Sequence, residues 1–188
     1  MNADEILLET EEAMQKAVDY VLHEMSTVRT GKASPSLIEG IEVHVQAYGS
    51  NMRLKQLALI STPEPRLLTV SPYDPGTMKD IERALRESRL GITPSMDGKL
   101  IRLPIPELSE ERRKELVKLM RDMSEQGKVR VRSARRDGME NLKSAQKTGE
   151  ITEDDLHRNE KEVQTLTDKY VASIDEHAAH KEKEIMTV

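Results

Sequence analysis

Small or apolar residues recur at Leu116, Met120, Met123, Gly127, Val131, Ala134, Gly138, Leu142 and Ala145. The steps between them are fours and threes with an eleven-residue repeat, ~3.67 residues per turn, which is the period of a nearly straight helical stripe. No proline interrupts the stretch from Ser109 to about Lys147. The spacing predicts one helix of roughly 39 residues, ~58 Å long at ~1.5 Å per residue. A compact domain of this size is narrower than that, so the rod can bury its stripe only against other long helices.

Two more stripes supply them. Leu7, Met14, Val18, Val21, Met25 and Val28, widened by Thr10, Ala17 and Leu22, predict a helix over 3–28 that stops before Gly31. Leu156, Val163, Tyr170 and His177 are spaced by seven, with Leu166 and Ile174 between them, and predict a helix from 152 to about 184 with His177 packed in its seam. Thr152 can cap its start, where Glu153, Asp154 and Asp155 meet the positive end of the helix dipole. The linker Thr148-Gly149-Glu150-Ile151 is short, so the last two helices must run antiparallel. Gly127 and Gly138 cost ~1 kcal/mol each inside a helix relative to Ala, and are read as points where a neighbouring helix comes close.

Between Gly31 and Ser109 the texture changes: prolines and glycines crowd in and the helical period disappears. Ile41, Val43 and Val45 alternate with Glu42, His44 and Gln46, which predicts a strand followed by a turn at Tyr48-Gly49-Ser50-Asn51. Leu57–Ile60, Leu67–Val70 and Leu100–Leu103 are further strand candidates. Thr77 is expected to cap a short helix through Ser88. The fold class expected is α+β with two domains: an antiparallel three-helix bundle from 1–30 and 105–188, and a small β/α/β domain, 31–104, inserted between its first two helices. Both crossings fall at backbone-special residues, Arg29-Thr30-Gly31-Lys32 on the way in and Leu103-Pro104-Ile105-Pro106-Glu107 on the way out, and make an expected hinge.

The chain is acidic, with a formal net charge of -5, yet Lys128, Arg130, Arg132, Arg135 and Arg136 follow one another with no acid among them. At 100° per residue Arg121, Lys128, Arg132 and Arg135 share one flank, ~70 to 130° from the centre of the apolar stripe, with Arg136 further round. Such a patch can meet a polyanion whatever the net charge, because over a Debye length of ~8 Å the local charge dominates. The only aromatics are Tyr20, Tyr48, Tyr73 and Tyr170. Recognition of phosphate spacing and backbone shape is therefore expected, not stacking on bases.

Several functions are excluded or left without support. With no cysteine there is no disulfide, thiolate nucleophile or thiolate metal site. Glu176-His177-Ala178-Ala179-His180 has two histidines three apart, whereas the metalloprotease motif needs them four apart with Glu directly after the first. No phosphate-binding loop, nucleophile elbow or carboxylate pair is present, so no catalytic residue, metal or cofactor is expected. Neither a signal peptide nor a membrane span is expected, which places the chain in the cytoplasm.

Val28-Arg29-Thr30-Gly31-Lys32-Ala33-Ser34-Pro35-Ser36-Leu37, Leu103-Pro104-Ile105-Pro106-Glu107-Leu108-Ser109-Glu110-Glu111-Arg112-Arg113-Lys114 and Val131-Arg132-Ser133-Ala134-Arg135-Arg136-Asp137 occur in that order. Together they resemble the signature stretches of the bacterial ribosome recycling factor family, and the likeness runs through nearly the whole chain. The resemblance implies an L-shaped body of tRNA-like dimensions that binds the post-termination ribosome. In that family the bundle lies on ribosomal RNA of the large subunit, the small domain swings, and elongation factor G with GTP drives subunit splitting. Carried over, Arg132, Arg135 and Arg136, with Lys128 beside them, are the implied RNA contacts, and Arg29, Gly31 and Lys32 the hinge-proximal ones. Lys32 stands where arginine is common in the family and keeps the charge without the bidentate fork. A monomer that binds neither DNA nor membrane is expected. The competing reading is a helical adaptor or chaperone with solvated arginines and no ribosome activity.

Overall fold

The computed structural model describes residues 2–187, which divide into two units: the chain up to Arg29 together with Glu110–Thr187, and Thr30–Ser109. The first unit is three helices, α1 (Ala3–Thr27), α4 (Glu110–Lys147) and α5 (Glu153–Thr187). Asn2 starts α1 by accepting from the Glu5 backbone N–H at 2.9 Å, while the Glu5 carboxylate accepts from the Asn2 N–H at 2.9 Å. This reciprocal box satisfies two N–H groups that the helix itself leaves without partners. Between α4 and α5, Gly149 adopts a φ of 78°. Its N–H reaches the Gln146 carbonyl and that of Glu150 the Ala145 carbonyl, a glycine-dependent termination that turns the chain straight back.

The stripe on α4 is buried at Leu116, Met120, Gly127, Val131, Ala134, Gly138, Leu142 and Ala145, as its spacing requires; Ser124 is buried and Met123 only half so. Both helical glycines are contact points. A Cβ built on Gly127 would lie 2.4 Å from Val21 Cγ2, and one on Gly138 would lie 2.4 Å from Thr10 Oγ1. Thr10 and Thr167, buried in the seam, donate to the Ile6 and Val163 carbonyls one turn back. Two positions differ from the sequence expectation. On α1, Ile6 is buried and Leu7 half-buried. On α5, His177 is exposed and Ala178 takes the seam with Asn159, Val163, Thr167, Tyr170, Ile174 and Ile185. A straight helix of 3.6 residues per turn drifts ~20° per heptad, so a strict seven-residue ladder leaves the seam by its fourth rung.

The second unit is built from β1 (Glu42–Val45), β2 (Ser50–Arg53), α2 (Leu54–Leu57), β3 (Ala58–Glu64), β4 (Leu67–Pro72), α3 (Met78–Glu87), β5 (Ser95–Asp97) and β6 (Leu100–Pro104). Two antiparallel sheets result, β1-β2 and β3-β4-β6-β5. Its core gathers Val43, Val45, Leu54, Leu68, Val70, Ile81, Ile101 and Leu103, all 1% exposed or less. Three local expectations are corrected. Ser50 and Asn51 belong to a strand, since Val45 pairs with Ser50 across a tighter turn in which Gly49 has a φ of 58°. Leu57 closes a single helical turn instead of opening a strand. Thr77 does not cap α3: its hydroxyl donates to the Asp74 carbonyl at 2.7 Å, and the Asp74 carboxylate accepts from the Gly76 N–H at 2.9 Å.

Candidate nucleic-acid interface

The α4 sequence places its cations, and their neighbours decide which of them are free. Val21 lies against Gly127 and Thr10 against Gly138, so α1 and α4 are antiparallel. The other flank of α4 is laced to α5 by Arg121–Glu182 at 3.1 Å, Lys128–Asp175 at 2.9 Å and Lys143–Glu160 at 3.9 Å. Lys128 also meets Glu125 at 2.6 Å and retains only 13% side-chain exposure. The hydrogen bonds it donates to Glu125 and then to Asp175 hold its ammonium above its ordinary pKa. Lys128 is thus a charge already neutralised within the bundle.

Arg132, Arg135 and Arg136 stand otherwise. Arg135 is half-buried and donates from Nη1 to the neutral Gln164 Oε1 at 3.2 Å, so its charge is oriented without being cancelled. Arg132 and Arg136 are exposed, and no ion pair or hydrogen bond joins either to a described residue. These three guanidinium groups form a strip on the surface of one rigid helix. A phosphate arriving there has no internal carboxylate to displace. Between Asp175 and Glu160 the ladder of α4–α5 ion pairs is interrupted, and Asp168 in that interval accepts from Gln164 instead of from an arginine.

The opposite flank of α4 carries a further cation. Arg130 lies with its guanidinium carbon 3.9 Å from the centre of the Tyr20 ring on α1. Tyr20 is 46% exposed. An aromatic therefore stands under Arg130, on the flank of α4 away from the strip. Tyr20 and Arg130 are 110 residues apart in sequence, and only the antiparallel register of α1 on α4 joins them.

The remaining residues singled out from sequence lie elsewhere. Arg29 closes the first unit, two residues past the end of α1. Thr30 and Gly31, both buried, and the exposed Lys32 open the second unit, Gly31 with a φ of 80°. Pro104 pairs with Leu67 and the Ile105 N–H donates to the Arg66 carbonyl at 2.8 Å. Pro104 and Ile105 are therefore stitched into the sheet unit, and the return crossing comes after Ser109. Among the described residues no cluster of histidines and carboxylates is placed to hold a metal, and no helix is long and apolar enough to cross a membrane.

A family profile described as "Ribosome recycling factor" matches residues 21–186. A ribosome-recycling factor of Akkermansia muciniphila is 55% identical over 188 residues, spanning 100% of both chains. A solution structure of a ribosome recycling factor superposes with a TM-score of 0.74 at 39% identity, covering 100% of this chain and 99% of that one. A T. thermophilus ribosome recycling factor, described with E. coli elongation factor G bound to the E. coli post-termination complex, gives a TM-score of 0.64 at 39% identity over 98% of this chain and 99% of that one.

Proposed function

Because this chain belongs to the ribosome recycling factor family, we propose that it binds the post-termination ribosome and, with elongation factor G and GTP, promotes the splitting of the subunits. The factor itself performs no chemistry, and nucleotide hydrolysis belongs to its partner. It works as a cytoplasmic monomer whose bundle lies on ribosomal RNA of the large subunit through Arg132, Arg135 and Arg136. The observation that carries the reading is that Arg132 and Arg136 are exposed without an internal partner while neighbouring cations on the same helix are paired. The adaptor or chaperone reading gives no reason for the family signature to coincide with this strip.

The test is co-sedimentation with purified large ribosomal subunits across a salt series. Arg132→Ala with Arg136→Ala should weaken binding by tenfold or more and flatten the dependence on salt, since each lost phosphate contact removes about one unit of slope. The melting temperature should not move, because neither side chain is used by the fold. Unchanged pelleting by the double variant would overturn the assignment. The two crossings, at Arg29–Thr30 and Ser109–Glu110, act as the pivot in this reading, with Arg29, Gly31 and Lys32 close to RNA. Gly31→Pro cannot adopt the φ of 80° found there; binding should survive while polysome breakdown with elongation factor G and GTP falls, and equal breakdown would refute the pivot.

A further inference from the structure

The Tyr20–Arg130 pair is the rim of a depression. Between α1 and α4, a shallow pocket of about 130 Å³ is lined by Tyr20, Glu24, Leu119, Asp122, Gln126 and Arg130 among others. At ~30 Å³ per water it holds several waters or one planar ring. Its walls combine an aromatic face, a guanidinium, an apolar patch from Leu119, which is 39% exposed, and the amide of Gln126. Two carboxylates, Glu24 and Asp122, also line it.

That combination discriminates between ligands. Carboxylates repel phosphate, so this flank is not a continuation of the phosphate strip. They accept hydrogen bonds from amino groups, as acidic side chains do when they read the exocyclic amine of a base. A guanidinium lying over a tyrosine ring keeps its outer face for a second flat partner, and unpaired bases in folded RNA stack on arginine planes and aromatic rings. At 100° per residue Arg130 and Arg132 point ~160° apart around α4, with the exposed Arg136 between them on its outer face. The helix is only ~10–12 Å across, so RNA that reaches both curves round that outer face. One RNA surface can therefore place phosphates on the flank toward α5 and a base on the flank toward α1.

We propose that the Tyr20–Arg130 stack and its pocket form a subsite for one unpaired, amino-bearing nucleobase of the RNA held by the arginine strip. The inference rests on the RNA-binding reading above and adds a base contact to it. It predicts a signature different from that of the strip. A stacking contact contributes affinity that is nearly independent of salt, whereas a phosphate contact contributes to the salt slope.

The experiment compares Tyr20→Phe, Tyr20→Leu and the parent for binding to purified large ribosomal subunits over a salt series, with dimethyl sulfate probing of the bound RNA. Tyr20→Phe should bind like the parent. Tyr20→Leu, which keeps apolar bulk but no ring, should lose on the order of tenfold in affinity with an unchanged salt slope. One adenine or cytosine protected by the parent should become reactive again with Tyr20→Leu while other protections persist. If Phe and Leu variants bind alike with the same protections, Tyr20 only supports Arg130 structurally and the subsite is refuted. Protection of a ribosomal protein segment at this pocket, read by crosslinking from position 20, would equally overturn it. Failure of the underlying reading looks different: the parent itself would then show no salt-sensitive binding.

Discussion

The two units bury the same kinds of aliphatic side chain and hold them by different means. Each bundle helix satisfies its own backbone, so the sequence has only to supply a stripe and a few points of close approach. The inserted unit has strands that cannot pair with themselves. Its core draws two residues from each of β1, α2, β4 and β6 and three from α3, and β4 reaches β6 only past α3 and β5. Local period makes the one fold, and long-range pairing makes the other. Two separate cores joined by two single-chain crossings should also fail separately.

The sharpest way to break that contrast is to hollow each core in turn. Met120 and Ile101 are both 0% exposed, one in each unit. Met120→Ala and Ile101→Ala should each cost about 2–5 kcal/mol. Hydrogen exchange should show the lost protection confined to the helices in the first case and to the strands in the second. If either substitution loosens both units equally, the chain is one cooperative body.

A smaller effect sharpens the same contrast through glycine. Gly138→Ala and Gly127→Ala gain up to ~1 kcal/mol in helix propensity. They also drive a Cβ to 2.4 Å from Thr10 Oγ1 or Val21 Cγ2, and both neighbours are β-branched residues with little freedom at χ1 in a helix. Overpacking at ~1–3 kcal/mol should win, lowering the melting temperature by a few degrees. In the inserted unit Gly40 faces open space, and Gly40→Ala should leave melting within error. A stabilised Gly138→Ala would show that α1 and α4 can separate slightly at no cost.

Legibility followed the same division. The long α4 stripe, the two contact glycines and the capping at Thr152 could be read because each rests on residues a few positions apart; the Asp155 N–H does donate to the Thr152 hydroxyl, at 3.1 Å. The inserted strands showed through wherever one face alternates, as in Val43 and Val45. β5 was invisible: Ser95-Met96-Asp97 is exposed throughout and is a strand only because β6 lies beside it. The arginines of the strip were legible as charges, but their pairing was not. Whether Lys128 or Arg132 is free depends on which α5 side chain lies opposite, and Asp175 sits 47 positions away from Lys128. Tyr20 beneath Arg130 escaped for the same reason.

Two tyrosine–carboxylate hydrogen bonds give the finest version of the comparison. In the bundle the Tyr170 hydroxyl donates to Glu11 at 3.0 Å and the ring is 6% exposed. In the inserted unit the Tyr48 hydroxyl donates to Asp74 at 2.8 Å with the ring 52% exposed. Both phenols are held above their ordinary pKa, Tyr170 chiefly by burial and then by Glu11, and Tyr48 chiefly by the hydrogen bond to Asp74. A raised phenol favours the neutral form in the fold. Its contribution is therefore complete below the unfolded value of ~10 and is lost as pH climbs through the higher folded one. Lys169, raised by the same Glu11, loses its share in the same direction. At neutral pH Tyr170→Phe should cost about 1 kcal/mol, less than an orphaned carboxylate would, because Lys169 still reaches Glu11 at 3.3 Å. It should also remove part of the alkaline fall in bundle stability above pH ~10. Tyr48→Phe should change neither, because water replaces the lost donor at an exposed site. Melting curves from pH 7 to 11 on the two variants check this, and equal alkaline behaviour would mean that burial does not separate the two bonds.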